Sequence, residues 1–371
     1  MNFTVTRNDF YKTLQKVINV IPTKTTSEIL YNVLLLAEGN QLKIIATDLE
    51  ITQIAWTSCQ INKEGSVIVP GKLLLDIIRE MPEIDLTFEV DSNFKILIQS
   101  SLGEYKISGQ GKTEYPSVPL VESDDKLSLK NSVLKRMIEK TIFACSTDNL
   151  RPALTGVYCQ ILDEEYRMVA TDGHRLVRMI TTDYSNPGFT TDIIVPTKAL
   201  TFVARNLPEE GVQKIVLSEN HILFELPGTK IYSRLIKEPY PDYERVIPAD
   251  YNKEMIIDKT QFVSSVKRVS LFSNPMTYQV RLHLESTQLS IHAQDIDFGG
   301  EANESIPCQY NSEALDIAYN ANYLADILRH IDSEKIRLMV EDSDGPGIIF
   351  PTEQEEKEDI LMLIMPVRLN N

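Results

Sequence analysis

The 371-residue sequence has no long hydrophobic run and few cysteines. Its apolar stretches, such as residues 33–37, are far shorter than the ~18–20 residues that a membrane-spanning helix needs. Residues 1–7 lack a basic segment leading into an apolar one, so we expect no secretory signal. The 4 cysteines are scattered without a CxxC pair, which is typical of reduced thiols in a cytosolic protein. We therefore expect a cytoplasmic protein that makes no membrane contact.

Positive charge is also scarce. The 37 Lys and Arg residues stand against 53 Asp and Glu, and the net charge is −16. By composition, such an acidic protein is a poor candidate for binding nucleic acid. The hydrophobic fraction of 43% nevertheless supplies ample material for a core. At roughly 100–200 residues per domain, the length predicts two to four domains.

Short segments that end a predicted strand in an Asp-initiated turn recur along the chain. Their aspartates, Asp48, Asp172 and Asp295, are 124 and then 123 residues apart, which is one third of the 371 residues. Residues 67–82 and 193–208 repeat a strand that ends in proline and leads into a helix, at an offset of 126. The third copy of this second feature is weaker. Equal spacing of a repeated segment along the whole chain predicts three copies of one domain.

Each third is predicted to contain two helices separated by strands. Asn8, Asn131 and Asp258 are suitable N-caps for the opening helices, and apolar positions at helical spacing follow them. Residues 86–90 and 336–340 alternate between apolar and polar, as strands do. The predicted helices are 8–20, 70–80, 131–146, 196–207, 259–273 and 320–331. Two helices and several antiparallel strands per third predict an α+β fold.

Proline-rich segments mark the ends of the first two repeats. Residues 115–119 and 240–243 lie 125 residues apart and close the first and second units. We therefore predict three domains, at residues 1–122, 128–248 and 252–371.

The positive charge is concentrated in the predicted helices. These segments hold 13 basic and 5 acidic residues, a net charge of +8, so the rest of the chain carries −24. Because each helix buries one face, the cations occupy the other. A shared helical side would then be positive and would suit phosphate contact without base recognition. Solvated helix faces are also commonly charged, because Lys and Arg favour helices, so charge alone leaves both interpretations open.

Four segments carry a more specific pattern, namely residues 46–50 (ATDLE), 169–176 (VATDGHRL), 241–248 (PDYERVIP) and 365–369 (MPVRL). Together they resemble the bacterial DNA polymerase III beta subunit family, the sliding clamps, over the full length of the chain. The resemblance implies three repeated domains of the DNA clamp fold in a head-to-tail dimeric ring, with helices lining a central hole and antiparallel sheets outside. It further implies a processivity factor that encircles duplex DNA and has no catalytic site, cofactor or metal.

The resemblance also implies a peptide groove between the second and third domains. The expected partners are the DNA polymerase III alpha subunit, clamp-loader subunits, and repair and other proteins that carry a clamp-binding motif. Leu176 and Val246 would supply apolar walls, and His174, Arg175 and Arg245 would supply polar rim contacts. The matching groove positions are Leu154, Thr171, Gly173, His174, Arg175, Leu176, Pro241, Arg245, Val246, Ile364, Met365, Pro366, Val367, Arg368 and Leu369.

Two further surfaces are expected, one for DNA and one for a second copy of the chain. At the homodimer seam, Tyr105 and Ile107 of a first-domain edge strand would meet Leu271 and Phe272 of the partner chain. The helix cations and the resemblance together give ten candidate DNA contacts. These are Lys24, Lys72, Arg79, Lys135, Arg136, Arg151, Lys198, Arg205, Lys267 and Arg268.

Two other classes of protein remain as alternatives. An acidic interaction scaffold would keep the groove but lack positive helix faces, and the +8 helix charge argues against it. An enzyme would need a convergent acid, base or nucleophile, yet Asp172 and His174 come with no serine or cysteine motif. Residues 109–113 (GQGKT) resemble the end of a P-loop but lack its first glycine, because position 106 is lysine.

Overall fold

The computed structural model describes residues 1–185, 187–295 and 299–368. It divides into two compact units, one of residues 1–132 with 198–235 and one of residues 133–197 with 236–371. Both units contain α-helices and antiparallel sheets, so the expected α+β class is confirmed.

The described residues contain an α-helix at each of the six predicted places. These helices are α1 (Arg7–Ile18), α2 (Gly71–Glu80), α3 (Asn131–Thr141), α4 (Thr197–Asn206), α5 (Lys259–Ser270) and α6 (Ala321–Arg329). Most end earlier than predicted, because the apolar pattern continues into the turns that follow. After α3, for example, residues 142–144 form a 3₁₀ turn.

The predicted helix caps were partly wrong. Asp258 is the N-cap of α5, and its side chain accepts a hydrogen bond from the Gln261 amide. The N-cap of α1 is Thr6 instead of Asn8, since the Thr6 hydroxyl accepts the Asp9 amide proton. Asn131 is the first residue of α3, and its side-chain amide donates to the Glu210 carbonyl. A good capping residue close to a helix start therefore did not identify the first residue of the helix.

The strands follow the threefold repeat. The first third contains β1 (Asn2–Thr6), β2 (Asn32–Glu38), β3 (Gln41–Thr47), β4 (Ile51–Ser58), β5 (Gln60–Lys63), β6 (Gly65–Pro70), β7 (Asp85–Val90), β8 (Lys95–Ser100) and β9 (Gly103–Ser108). The second contains β10 (Lys126–Lys130), β11 (Gly156–Ile161), β12 (Tyr166–Thr171), β13 (Arg175–Thr181), β14 (Thr191–Pro196), β15 (Val212–Leu217), β16 (His221–Leu226) and β17 (Thr229–Arg234). The third contains β18 (Lys253–Asp258), β19 (Gln279–Leu284), β20 (Gln288–Asp295), β21 (Gly300–Tyr310), β22 (Leu315–Asn320), β23 (Lys335–Val340), β24 (Gly347–Pro351) and β25 (Glu358–Ile364).

The first unit contains two antiparallel sheets. One has the strand order β5-β1-β7-β8-β9, and the other has the order β10-β15-β16-β17-β4-β3-β2-β6. The second sheet joins the first and second thirds of the chain, because β17 pairs with β4 and places Ser233 opposite Ile51. At this join the buried Gln53 side chain donates a hydrogen bond to Thr229. Two repeats thus share one continuous hydrogen-bonded sheet.

The second unit contains one sheet that makes the same kind of join. Its order is β14-β11-β12-β13-β25-β24-β23-β18-β21-β20-β19-β22. Here β13 pairs with β25, from Arg175 opposite Ile364 to Thr181 opposite Glu358. In both joins the strand that follows the Asp-initiated turn of one repeat pairs with the last strand of the next repeat.

The two strands that correspond to the joined strands but belong to neither join, β9 and β21, keep an open edge. Among the described residues, β9 pairs only with β8, and residues 300–307 of β21 pair only with β20. An open strand edge presents unpaired backbone N–H and C=O groups and is a template for another strand.

Candidate partner groove and cation-bearing helices

The second and fourth sequence motifs come together at the end of β13. Asp172 begins the turn there, and its Oδ1 accepts the amide protons of His174 and Arg175 at 2.9 and 3.0 Å. Gly173 has a φ of 92°, which a glycine adopts without strain. The Met365 amide donates to the His174 carbonyl at 2.8 Å. The predicted groove segments 171–176 and 364–365 therefore lie side by side.

The predicted groove positions divide into a buried, mainly apolar set and an exposed set. Leu176 is 2% exposed and packs with a cluster that includes Tyr243, Leu361 and Leu363. Among the other predicted positions, Leu154, Thr171 and Ile364 are also buried. Val246 and Met365, in contrast, are 47% and 38% exposed. Gly173, His174, Pro241, Arg245 and Arg368 are exposed polar or backbone positions of the same region. Such a combination of buried and exposed positions suits an extended peptide.

The C-terminal segment is part of the fold as well as of the groove. The Val367 amide donates to the Ala318 carbonyl of β22 at 2.8 Å. The segments that follow β9 and β17 also pair with the edge strand of a sheet, since Gln110 pairs with Ile68 of β6 and Ile236 pairs with Ile194 of β14. Pro366 lies between the bonded residues Met365 and Val367, whereas Leu369 lies outside the described residues. Edge pairing thus fixes the segment that contributes Met365 to the groove.

Arg175 is a buried member of the groove set, with a side chain only 9% exposed. Its Nε donates to Asp172 Oδ2 at 3.1 Å and its Nη1 to Asp326 Oδ2 at 3.0 Å. Its Nη2 donates to the Phe143 carbonyl at 2.8 Å. The guanidinium carbon lies 4.9 Å from the centre of the Tyr323 ring, and that ring stacks on His174 at 5.6 Å. Burial, followed by the charge of Asp172, raises the pKa of Tyr323.

Sequence reasoning missed Tyr323, Asp326 and Phe143. Their only sequence signal is helical spacing, which places Tyr323 and Asp326 on α6 without indicating what they contact. In sequence, Asp326 is 151 residues from Arg175 and Phe143 is 32 residues from it, so both contacts depend on tertiary structure.

The candidate DNA contacts on α2 and α4 share a local geometry. Lys72 and Arg79 are seven residues apart on α2, and Lys198 and Arg205 are seven apart on α4. A separation of seven residues returns to the same helix face after about two turns. All four residues are exposed, and the opposite faces bury residues such as Leu74 and Val203. Each helix therefore presents basic residues away from its core, and on α2 Asp76 shares that face and pairs with Arg79.

Several candidate DNA contacts already form ion pairs within the chain. Lys198 pairs with Asp48, whose side chain is only 13% exposed. The more exposed pairs are Arg79–Asp76, Arg151–Asp148 and Arg268–Glu304. Hydrogen bonds from Arg268 lower the pKa of Glu304. Such exposed pairs contribute little free energy and exchange readily for another anion. Lys24, Lys72, Lys135, Arg205 and Lys267 form no ion pair with any residue that the structure describes.

Arg136 differs from the other candidates because its two carboxylate partners are about 200 residues away in sequence (separations of 196 and 222) and one of them is largely buried. It pairs with Asp332 and, through Nε, with Glu358 Oε2 at 2.7 Å. The neighbouring Lys140 donates to Asp332 Oδ1 at 2.6 Å and to the His330 carbonyl at 2.5 Å. Burial alone would raise the pKa of Asp332, but the hydrogen bonds from Lys140 and Arg136 lower it below its ordinary value. This cluster ties α3 to the last third of the chain.

The candidate seam residues lie beside the two open strand edges. Tyr105, which is 38% exposed, and Ile107 lie on β9. Leu271 and Phe272 follow α5 and are 82% and 44% exposed. A Cβ on Gly300 would meet Phe272 Cδ1 at 3.5 Å, so Phe272 covers the start of β21. Leu102 and Met276, exposed apolar residues near the same segments, were missed because isolated apolar residues are common on surfaces.

The described residues contain no group of three or more His, Cys, Asp or Glu side chains that could hold a metal ion. No described helix is long and apolar enough to cross a membrane.

Repeated α+β domains joined edge to edge, with basic residues on the exposed faces of their helices, define the class of DNA clamps. The chain belongs to the DNA polymerase III beta subunit family: the N-terminal domain of that family matches residues 1–119, the central domain 128–242 and the C-terminal domain 244–368. Proteins of this family are processivity factors and not catalytic enzymes.

Similar proteins match over the whole chain. The beta sliding clamp of Pseudomonas aeruginosa is 32% identical over 375 residues and covers 100% of both chains. The crystal structure of that organism's DNA polymerase III subunit beta has a TM-score of 0.93 at 30% identity, covering 99% of this chain and 100% of its own. A sliding clamp structure from Bartonella birtlesii has a TM-score of 0.95 at 32% identity and covers 100% of both chains. The three-domain clamp fold expected from the sequence is therefore confirmed.

Proposed function

We propose that two copies of this protein pair head to tail and close a ring of six domains around duplex DNA. The ring tethers DNA polymerase III to its template and makes synthesis processive. Retention is topological, because a closed ring cannot leave an endless duplex even when each phosphate contact is weak. The observation that carries this proposal is the pair of open edges, β9 and β21, in a chain whose other repeats are joined by strand pairing.

The two joins within the chain also specify how the third would form. Ile51, the first residue of β4, faces Ser233, the fifth residue of β17. Arg175, the first residue of β13, faces Ile364, which is the seventh residue of the longer strand β25. The register of the β4–β17 join is the one used here, because β9 and β17 both have 6 residues. Applied to the open edges, this register places Gly300, the first residue of β21, opposite Ile107, the fifth residue of the partner's β9.

The same register gives a chemically matched seam. Lys106 would lie opposite Glu301, and Tyr105 opposite Ala302. The small residues Ala302 and Gly300 would thus lie opposite Tyr105 and Ile107 on one face of the strand pair. The salt bridge between Lys106 and Glu301 would lie on the other face. Because Phe272 covers Gly300, Ile107 of the partner chain would contact the Phe272 ring when it lies opposite Gly300.

Cysteine cross-linking tests this register and the dimer together. We expect Lys106→Cys with Glu301→Cys to form a covalent dimer on mild oxidation, seen as a double-mass band on a non-reducing gel. The matched control is Lys106→Cys with Ala302→Cys, whose side chains would point to opposite faces of the sheet. Equal cross-linking of both variants, or a monomer in analytical ultracentrifugation, would contradict the proposed seam.

The partner groove and the domain limits are part of the same proposal. We infer that the groove takes short linear motifs of the DNA polymerase III alpha subunit, of clamp-loader subunits and of other clamp-binding proteins. The buried cluster around Leu176 and the exposed apolar side chains of Val246 and Met365 support this role. We place the three domains at 1–122, 128–248 and 252–371, and the site of action in the cytoplasm.

A further inference from the structure

We propose that Arg175 is a positioning residue of the partner groove and that Asp326 on α6 is the partner that holds it. This inference rests on the proposed peptide-binding role of the groove. It assigns a function in partner binding to Asp326, which lies on a helix outside the groove motifs. The pair would act by fixing the stacked rings of His174 and Tyr323 as one wall of the groove.

The hydrogen-bond donors of Arg175 are directed into the protein. Its Nε, Nη1 and Nη2 donate to Asp172, Asp326 and the Phe143 carbonyl, at 3.1, 3.0 and 2.8 Å. Its side chain is 9% exposed, which leaves little surface for a peptide. A buried guanidinium with satisfied donors is costly to disturb and therefore holds its neighbours in a defined geometry.

The neighbours that Arg175 holds include an exposed aromatic wall. Its guanidinium lies over Tyr323, 4.9 Å from the ring centre, and over Phe143 at 5.3 Å. Tyr323 in turn stacks on the exposed His174, with ring centres 5.6 Å apart and planes 15° from parallel. His174 is fixed from the other side, because its carbonyl accepts the Met365 amide. Asp326 therefore connects α6 to both segments of the groove through Arg175.

The threefold repeat supplies a matched control for Asp326. Asp326 and Arg329 are the sixth and ninth residues of α6 and form an ion pair at 2.9 Å. Asp76 and Arg79 are the sixth and ninth residues of α2 and pair at the same distance of 2.9 Å. Arg175 reaches Asp326 across the join between one repeat and the next. The residue that would correspond to Arg175 beside Asp76 is Gly300, at the start of β21 of the partner chain, so Asp76 lacks an arginine from the turn.

The test measures binding of the purified DNA polymerase III alpha subunit of the same organism to immobilised full-length dimer. We expect Asp326→Asn to weaken binding about tenfold, and Asp76→Asn and Arg329→Gln to change it less than twofold. Tyr323→Leu should also weaken binding. If Asp326 acts through the aromatic wall, Asp326→Asn should add little to the loss in the Tyr323→Leu background.

The outcomes separate this inference from the groove itself. Unchanged binding by Asp326→Asn, or additive losses in the double variant, would overturn the positioning role while leaving the groove in place. Equal losses for Asp326→Asn and Asp76→Asn would also overturn it, because they would indicate a general effect of helix charge. Absence of binding by the wild-type dimer would overturn both the proposed groove and this inference. Analytical ultracentrifugation and thermal unfolding of each variant provide the check that dimer and fold are retained.

Discussion

Cys159 lies in the interior of β11 with no exposed surface. Burial raises the pKa of its thiol to about 12. Because the thiolate is the reactive form, only roughly one thiol in ten thousand would be ionised at pH 8. The sequence suggested reduced thiols from their scattered spacing, and the structure adds that this thiol is both inaccessible and protonated.

We therefore expect Cys159 to resist alkylation in the folded protein. At pH 8, iodoacetamide should modify the partly exposed Cys59 well before Cys159, as measured by mass spectrometry of tryptic peptides over time. Denaturant should remove the difference. Rapid modification of Cys159 in protein that remains folded by circular dichroism would contradict the assigned burial.

For single residues, the sequence predicted the structural role less often than it predicted the position of a whole helix or turn. Asp258 was correctly chosen as a cap, but Asn8 was not, because Thr6 two residues earlier offers the same hydrogen bond. The motif around Asp172 correctly predicted an Asp-initiated turn at the end of a strand. Tyr323 could not be found in this way, because its role arises from a ring stack with a residue from another part of the chain.

At the scale of secondary-structure elements, α3 forms a network of ion pairs with the last third of the chain. Arg136 and Lys140 reach carboxylates about 200 residues away in sequence, at Asp332 and Glu358 (separations of 196, 192 and 222). The apolar spacing of residues 134–142 predicted the helix, since periodicity is a local property. The ion partners of its cations could not be predicted, because no sequence spacing relates residues that only the fold brings together.

We expect the Glu358 pair to stabilise the second unit. Glu358 is 11% exposed and Arg136 33%, so Glu358→Gln removes a charge-assisted hydrogen bond from a largely buried site. The free energy of unfolding should fall by about 1–3 kcal/mol, measured by urea denaturation. The control is Glu38→Gln, which breaks the exposed Lys43–Glu38 pair and should cost less than about 1 kcal/mol. Equal effects of the two substitutions would argue against the network.

For the whole molecule, the arrangement of charge matters more than its total. The chain carries −16, which by itself disfavours DNA, yet its helices present exposed Lys and Arg residues. Repeat spacing predicted three domains, and the family match covers nearly the full chain in three parts. What the sequence could not supply is the register of the strand joins, because that depends on which edges pair.

We expect the helix cations to govern loading onto DNA. Changing Lys72, Lys198 and Arg205 together to Glu should lower the fraction of clamp loaded by at least about tenfold, since each contact to phosphate contributes to affinity. The measurement is loader-dependent retention on a nicked circular duplex at moderate salt. Changing Lys63, Lys214 and Lys335 to Glu alters the net charge equally but on strands instead of helices, and should have a small effect. Equal losses for both triple variants would contradict a specific role for the helix cations.

The proposed ring encloses DNA, and a topological measurement distinguishes such enclosure from binding to the DNA surface. The protein is loaded onto a nicked circular duplex with a clamp loader, washed at high salt, and the circle is then cut once. A closed ring predicts retention on circles through the wash and loss when the DNA becomes linear. Equal binding to circular and linear DNA that disappears from both as salt rises would contradict the account and indicate an ordinary electrostatic binder.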